Sequence, residues 1–538
     1  MLTLVLFCAL SRLAGWGQAV PDAGQEAQNA GKGRILLVLP FDNRTNQPSL
    51  EWVREAAASI LSSRFTSAGF APMSRADRMY ALDHLGLPEG FQPSRASSLK
   101  LAQTLDADSI IVGSYSTDGS NLAVEARVVD VSHLRMSEAV SAGGDMHNLI
   151  AVFGSLAWKL TRVLDPGFNG AEETFVAAGR GMRLDAFEQY IRGITEPDHD
   201  ERLRHLKQAV ALDPGFGAAW MALGREQYSA QQYDEAATAF AKVGRNEPDA
   251  LEAGFYRGLS LLFSGKYPQA ESAFHEVATV LPLAEVLNNE GVAVSRQGKD
   301  GTAQFVAAAA ADPNQADYHF NLAVTLKRKG QTSGALAELA LSLKIRPNDS
   351  EAQDLQKDWR DSATGTVPGG VDQDANTSDR PDPLERIART FDAVAFRQAA
   401  GMMDQMESAR LAELTPHDRA MKLADQARDY LNRGLLLEAE RLYQSAVAAD
   451  DSVAEAHAGL AEVRERGGDT VSARKEAQKA LELKPSAQAY LVLGRLDLAD
   501  NRPDDAGREV SEALRLDPTS HEAQDLSRQV ASKTGKSQ

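Results

Sequence analysis

The chain has one cysteine, Cys8, in 538 residues. A single thiol cannot build a disulfide framework, a thiolate zinc site or an iron–sulfur cluster. Aromatic residues make up only 6%, and alanine runs such as Ala307 to Ala311 point to cores of closely packed helices rather than a large β-sandwich. Positive charge is also short. Lys and Arg total 57 against 75 Asp and Glu, a net charge of −18, which disfavours a phosphate-neutralising surface and argues against a nucleic-acid partner. No segment offers the roughly 18 consecutive apolar residues of a membrane-spanning helix. At roughly 150 residues per domain, the length implies three or four folding units.

The chain opens on an apolar run, Leu2 to Leu10, followed by small residues ending Gly17-Gln18-Ala19 before Val20-Pro21. This is the pattern of a secretory signal, residues 1–19, cleaved after Ala19. The run is too short to span a bilayer. The expected product is exported, periplasmic or secreted, and it loses Cys8 with the signal, leaving a thiol-free chain suited to an oxidising compartment.

Residues 33–167 read as an α/β domain. Arg34 to Leu39 is a continuous apolar run ended by Pro40, the signature of a strand buried on both faces. A polar loop, Asp42 to Pro48, leads to a helix that Ser49 can cap, with Trp52, Val53, Ala56, Ile60, Leu61 and Phe65 on one face. A short extended piece at Gly69 to Met73 precedes helices near Arg75–Leu85 and Ser94–Leu105. Asp108 to Tyr115 is a second buried strand, Asn121 to Val131 alternate as a half-buried one, and Met136 to Gly143 pair back across His133. A helix from Asp145 to Leu164 closes the unit. The order β-α-β-α-α-β-β-β-α gives a mixed sheet with helices packed on it. Val38-Leu39-Pro40-Phe41 with Asn43 and Thr45, then Ala107-Asp108 to Tyr115, then Leu122 to Asp130 resemble the TolB amino-terminal and FlgO-type family. That resemblance implies a bacterial-envelope setting and no catalytic residues.

From about residue 180 a repeating pattern takes over. Trp220-x-x-Leu223-Gly224, Tyr228, Ala236-x-x-x-Phe240 and Pro248 are followed by Gly258, Ala270, Phe274 and Pro282. Gly291, Ala303 and Pro313 mark a third unit shortened by about two residues, and Leu322, Gly330, Ala335, Leu339 and Pro347 a fourth; residues 183–216 form a degenerate unit before them. These signatures resemble the tetratricopeptide repeat, a hairpin of helices A and B that stacks into a solenoid. The first array is assigned residues 180–360. Residues 361–383 have a composition that cannot bury a core and read as a flexible acidic linker. A second array follows over 384–533, starting with a helical pair from Leu384 to Leu414. Both arrays end alike, in Glu351-Ala-Gln-Asp-Leu355 and Glu522-Ala-Gln-Asp-Leu526, which read as capping helices. The fold class is α+β: an amino-terminal α/β domain and two all-α solenoids. The acidic excess belongs to the repeats and linker, with 13 basic against 14 acidic residues over 31–167 but 20 against 27 over 171–360.

No reacting constellation emerges. His199 and His205 lack the spacing of helical metal ligands. Asp372-x-Asp374-x-Asn376 starts like a calcium loop but has Thr377 where glycine is needed and Pro383 where the bidentate acid belongs. Lys533-Thr-Gly535 and Ser97-x-x-Lys100 have no companion Ser-Asp-Asn element. The expectation is a non-enzyme without metal or cofactor. What remains is binding, because the resemblance implies that the A helices line a concave groove. There Phe255, Leu259 and Phe263 give an apolar floor, Phe320 with Lys327 and Arg328 a basic edge, and Asn289 and Asn321 look like asparagines that bond a peptide backbone. Such a groove suits a protein or peptide segment with an apolar anchor and a carboxylate. The expected role is an adaptor within an envelope complex. The alternative is a cytoplasmic signalling or regulatory protein whose first domain senses a small ligand, through a loop such as Asp42–Thr45 at a strand's carboxyl end.

Overall fold

The computed structural model describes residues 35–88, 94–364 and 383–534. The expected signal sequence lies outside the described residues, as does the calcium-like stretch. So does the linker, apart from 361–364, which end a helix, and Pro383.

Strand β1 (Ile35–Val38) is followed by β2 (Asp42–Asn43), helix α1 (Val53–Ser67), β3 (Ala71–Pro72), α2 (Arg75–His84), α3 (Arg95–Thr104), β4 (Ser109–Asp118), β5 (Asn121–Asp130), β6 (Arg135–Met136), β7 (Val140–Asp145) and α4 (Leu149–Leu164). The sheet is mixed: β1 pairs parallel with β3 and β4, whereas β4, β5 and β7 pair antiparallel. The apolar run of β1 serves two cores at once. Leu36 and Val38 pack with α1 and α4, and Leu37 and Leu39 with α2 and α3 on the opposite face. That two-sided burial is why the run does not alternate. Ser74 and Asp77 close a reciprocal capping box on α2. Ser49 caps nothing: it sits in a single 3-10 turn, Pro48–Leu50, and α1 starts from Trp52 without a side-chain cap.

After the short helix α5 (Glu172–Ala177), the first array comprises α6 (Leu184–Thr195), α7 (His199–Leu212), α8 (Gly217–Ser229), α9 (Tyr233–Phe240), α10 (Ala250–Phe263), α11 (Tyr267–Val280), α12 (Ala284–Ser295), α13 (Thr302–Ala311), α14 (Ala316–Arg328), α15 (Thr332–Ile345) and α16 (Ser350–Thr364). In three hairpins an A-helix glycine meets a B-helix phenylalanine. A Cβ would lie 2.7 Å from Phe240 at Gly224, 2.6 Å from Phe274 at Gly258 and 2.8 Å from Phe305 at Gly291. Any side chain there would push the two helices apart. Gly265, Gly298 and Gly330 turn A into B at φ of 72° to 74°, a left-handed conformation that glycine adopts without strain.

The expected helical pair from Leu384 to Leu414 is absent. Residues 383–392 form neither helix nor strand, with a bend at Thr390, and one helix, α17 (Ala393–Glu413), follows. Asp392 accepts from the Ala395 amide at 2.8 Å and sets that helix start. Then come α18 (Pro416–Asn432), α19 (Leu436–Ala449), α20 (Ala454–Gly467), α21 (Thr470–Leu483), α22 (Ala487–Ala499), α23 (Pro503–Leu516) and α24 (His521–Thr534). The two array ends are built alike: Gln353 donates to the Pro347 carbonyl at 2.6 Å, and Gln524 to that of Pro518 at 3.0 Å. Ala352 and Leu355, like Ala523 and Leu526, are buried against the preceding hairpin.

The amino-terminal domain touches both arrays. Phe187 and Ile191 of α6 enter its core, and Arg192 donates to the Ser49 carbonyl at 3.0 Å. The second array returns to the α5 region. Leu437 joins the same core, Glu440 accepts from the Ala171 amide at 3.2 Å, and Arg180 donates to the carbonyls of Arg466 and Gly467 at 2.9 and 3.0 Å.

Candidate functional site

The A helices α10, α12 and α14 of the first array share a face along which residues 383–392 of the same chain lie. The carboxamide of Asn321 accepts from the Arg386 amide at 2.6 Å and donates to the Arg386 carbonyl at 2.8 Å. Asn289 does the same to Ala388, accepting at 2.9 Å and donating at 2.8 Å. Each asparagine thus occupies both hydrogen-bonding groups of one backbone residue, as a neighbouring strand would. The two backbone residues are two apart, the interval at which an extended chain presents the same edge. Asn288 ties the pair together: it donates to the Arg386 carbonyl at 3.0 Å and to Asn289 at 3.1 Å, and it accepts from Asn321 at 2.8 Å. All three asparagines are fully buried. Their amide groups would be costly without these partners.

Side chains fix the register. The buried Glu385 carboxylate is gripped by Ser295, Arg296 and Arg328. Burial alone would raise its pKa, but the hydrogen bond from Ser295 and the Arg328 cation outweigh it and hold the group below the ordinary carboxylate range. The Arg386 guanidinium lies 3.6 Å above the centre of the Phe320 ring. It also reaches Asp317 at 3.0 Å, Asp349 at 2.5 Å and Glu351 at 2.8 Å. Burial opposes its charge, yet these three carboxylates raise its pKa, and the hydrogen bond from Arg386 in turn lowers that of Asp349. Arg389 stands 5.6 Å over the ring of Phe263. Phe391 meets Phe255 at 5.6 Å between ring centres and belongs with Ile387 to the cluster around Leu259. Glu285, its pKa raised by burial, accepts from the Asp392 amide at 3.0 Å and ends the extended run.

Phe255, Leu259, Phe263, Asn289, Phe320, Asn321 and Arg328 therefore converge on one extended segment. Lys327 does not join them: its Nζ lies 3.3 Å from the Thr332 hydroxyl and 5.7 Å from the Trp359 ring, on the side of the capping helix. Sequence reasoning missed Asn288, Glu385 and Arg386. The Asn288-Asn289 doublet was the available signal for the first, and nothing periodic marks the other two.

The loop Asp42–Thr45 is closed on itself. Asn43 accepts from the Thr45 amide and hydroxyl at 2.9 and 2.6 Å and donates to the Gln47 carbonyl at 3.2 Å, the local bonding typical of an Asn-led turn. A separate cavity of about 330 Å³ lies where the amino-terminal domain meets α6 and α7, lined by Trp52, Glu55, Arg78, Arg192 and His205 among others. On its wall Arg78 grips Glu55 at 2.5 and 2.6 Å and donates to the Val38 carbonyl at 3.2 Å.

A family model described as tetratricopeptide repeat matches residues 200–250, 221–280, 424–488 and 468–521, so such repeats stand in both arrays. Subunit 3 of the anaphase-promoting complex of Schizosaccharomyces pombe is 29% identical over 90 residues, 17% of this chain and 14% of that protein. The chain thus spans about a seventh of the length of that curated relative. Among solved structures, YrrB, described as a tetratricopeptide-repeat protein with an unusual peptide-binding site, is 19% identical, with 38% of this chain and 99% of that one covered and a TM-score of 0.29. The first such domain of Spaghetti (RPAP3), bound to an HSP90 peptide, is 21% identical with 22% and 95% covered and a TM-score of 0.21. The LpoB carboxy-terminal domain of Salmonella enterica is 21% identical with 23% and 91% covered and a TM-score of 0.20.

Proposed function

We propose that this protein is a non-enzymatic interaction scaffold of the bacterial cell envelope that holds extended protein segments in the groove of its first array. One observation carries the reading: Asn289 and Asn321 each pair with both backbone groups of a residue in an extended chain. Backbone pairing gives affinity for any extended segment, and the flanking side-chain sites give selectivity. The amino-terminal domain, with its TolB/FlgO-like motifs, is the envelope module of the scaffold, and the apolar run at Leu2–Leu10 is its export signal.

Two measurements test this reading. Fractionation of a tagged full-length chain should place it in the periplasm or medium with Val20 at its amino terminus; a cytosolic product that retains residues 1–19 overturns the envelope assignment. Cross-linking in cells should yield partners that are lost from the Asn289→Ala/Asn321→Ala variant, and partners indifferent to that change overturn the groove as their site.

A second reading rests on the cavity beside Trp52 and Arg78. Its size suits a small molecule, and it touches both the sheet domain and the first repeat, so a ligand there would report to the array in a regulatory protein. Thermal unfolding of the purified chain against a library of small anionic metabolites would favour this reading if one of them raised the Tm and Arg192→Ala abolished the rise.

A further inference from the structure

We infer that the groove of the first array is specific for an extended segment with an acidic residue, an arginine directly after it, a small residue two places beyond the arginine and an aromatic five places beyond it, and that residues 383–392 are a tethered copy of this ligand that must leave before another chain can enter. The inference rests on the scaffold reading above and gives its ligand a chemistry.

The contacts along residues 385–391 define the requirement. An acid is needed at the place of Glu385 because Ser295, Arg296 and Arg328 converge there on a buried carboxylate. The next place demands arginine rather than lysine: a planar cation must stack on Phe320 and fork between Asp349 and Asp317. Ala388 is held by Asn289 and packs, with Ala284 and Leu287, against the buried cluster of Ala308, Ala309 and Tyr318, a contact that suits a small side chain. An aromatic at the place of Phe391 completes a ring cluster with Phe255, Phe274 and Phe396.

These are the features of a peptide complex, with one difference. The occupant is joined to α16 through only eighteen residues, 365–382. A tether of that length gives its segment an effective concentration on the order of millimolar. A free peptide at micromolar concentration therefore meets a groove already filled. The segment runs from the last repeat, at Asp349, toward the second, at Phe255, and continues directly into α17. Its departure also releases the connection between the two arrays.

The test uses the full chain and a fluorescently labelled peptide of residues 383–392, Pro-Leu-Glu-Arg-Ile-Ala-Arg-Thr-Phe-Asp, read by anisotropy. The wild-type chain should bind it weakly. The chain carrying Glu385→Ala and Arg386→Ala in its own segment should bind it about tenfold tighter or more, once the tethered competitor is weakened. A peptide with Lys at the place of Arg386, or Leu at the place of Ala388, should fail to compete. A milder variant, Glu385→Gln alone, covers the case in which the double variant misfolds, and it should shift affinity in the same direction. If a folded variant gains no affinity for the peptide, or if adding Asn289→Ala and Asn321→Ala leaves the gained affinity intact, the inference is wrong. The two readings fail separately. A groove that takes this peptide in vitro while cells yield no dependent partner defeats the scaffold reading alone, and dependent partners with no gain of peptide binding defeat the ligand chemistry alone.

Discussion

The sixth residues of α12 and α14 in the first array are Asn289 and Asn321; the same places on α20 and α22 of the second hold Gly459 and Val492. The scaffolds beneath them are alike down to single contacts. His319 bridges Glu338 at 2.7 Å and the Pro313 carbonyl at 3.1 Å, and His457 bridges Glu476 and the Asp451 carbonyl at the same two distances. The inner surfaces differ. Where the first array offers amides and rings to the backbone of residues 383–392, the second spends its polar groups within its own repeats: Arg495 reaches Glu465 at 2.6 Å and Glu522 at 2.5 Å, Gln488 reaches Glu462 at 2.6 Å, and Arg466 also binds Glu462. Packing residues make the solenoid, and a handful of A-helix positions decide whether it can hold a strand.

Substitutions that try to erase this difference should fail in a graded order. Gly459→Asn, which would give the second array the missing amide, should do most damage. A Cβ there falls 2.1 Å from the Tyr443 ring, and the overpacking should cost about 3 kcal/mol, visible as a Tm several degrees lower. An unchanged Tm would mean that α19 and α20 are not packed as described. Next is Asn321→Ala, which strips the Arg386 amide of its partner and leaves the Arg386 carbonyl to Asn288 alone, at a cost of about 1–3 kcal/mol. Limited trypsin digestion should then cut after Arg386 about tenfold faster than in wild type, whereas Val492→Ala should leave that cleavage rate alone.

Smaller effects come from titration. The Glu385 carboxyl lies below its ordinary range, so its hold on the groove is complete above about pH 4.3 and is lost as the pH falls through the depressed value. Cleavage after Arg386 by an acid-tolerant protease should quicken on acidification in wild type, and Glu385→Gln should flatten that dependence. The smallest effect belongs to His457. Burial would lower its pKa, but Glu476 and the Asp451 carbonyl raise it above the usual histidine value. Its contribution is therefore present below about pH 6.5 and fades as the pH climbs through the raised value. His457→Gln should remove that step from the curve of Tm against pH and leave the first array's groove untouched.

Much of this was legible in the residues. Helical hairpins announce themselves because a glycine and a phenylalanine must meet at a fixed interval, and the shortened third unit still shows as Gly291 against Phe305. The groove side of α10, α12 and α14 could be read the same way. The occupant could not. Leu384-Glu-Arg-Ile-Ala-Arg has good helix formers and no period-two alternation, so local preference favours a helix; only the distant Asn289 and Asn321 make the extended form worthwhile. Lys327 was misleading for a related reason: at the carboxyl end of α14 a long side chain can turn either to the groove or to the cap, and Trp359 draws it to the cap.

The order of residues along the chain gives the occupied groove a history. A polypeptide that emerges amino terminus first completes α16 at Thr364, twenty-seven residues before Phe391 arrives. At ordinary rates of synthesis that interval is roughly one to five seconds. Every molecule thus passes through a moment when the asparagine pair is already made and the segment that fills its hydrogen bonds is not.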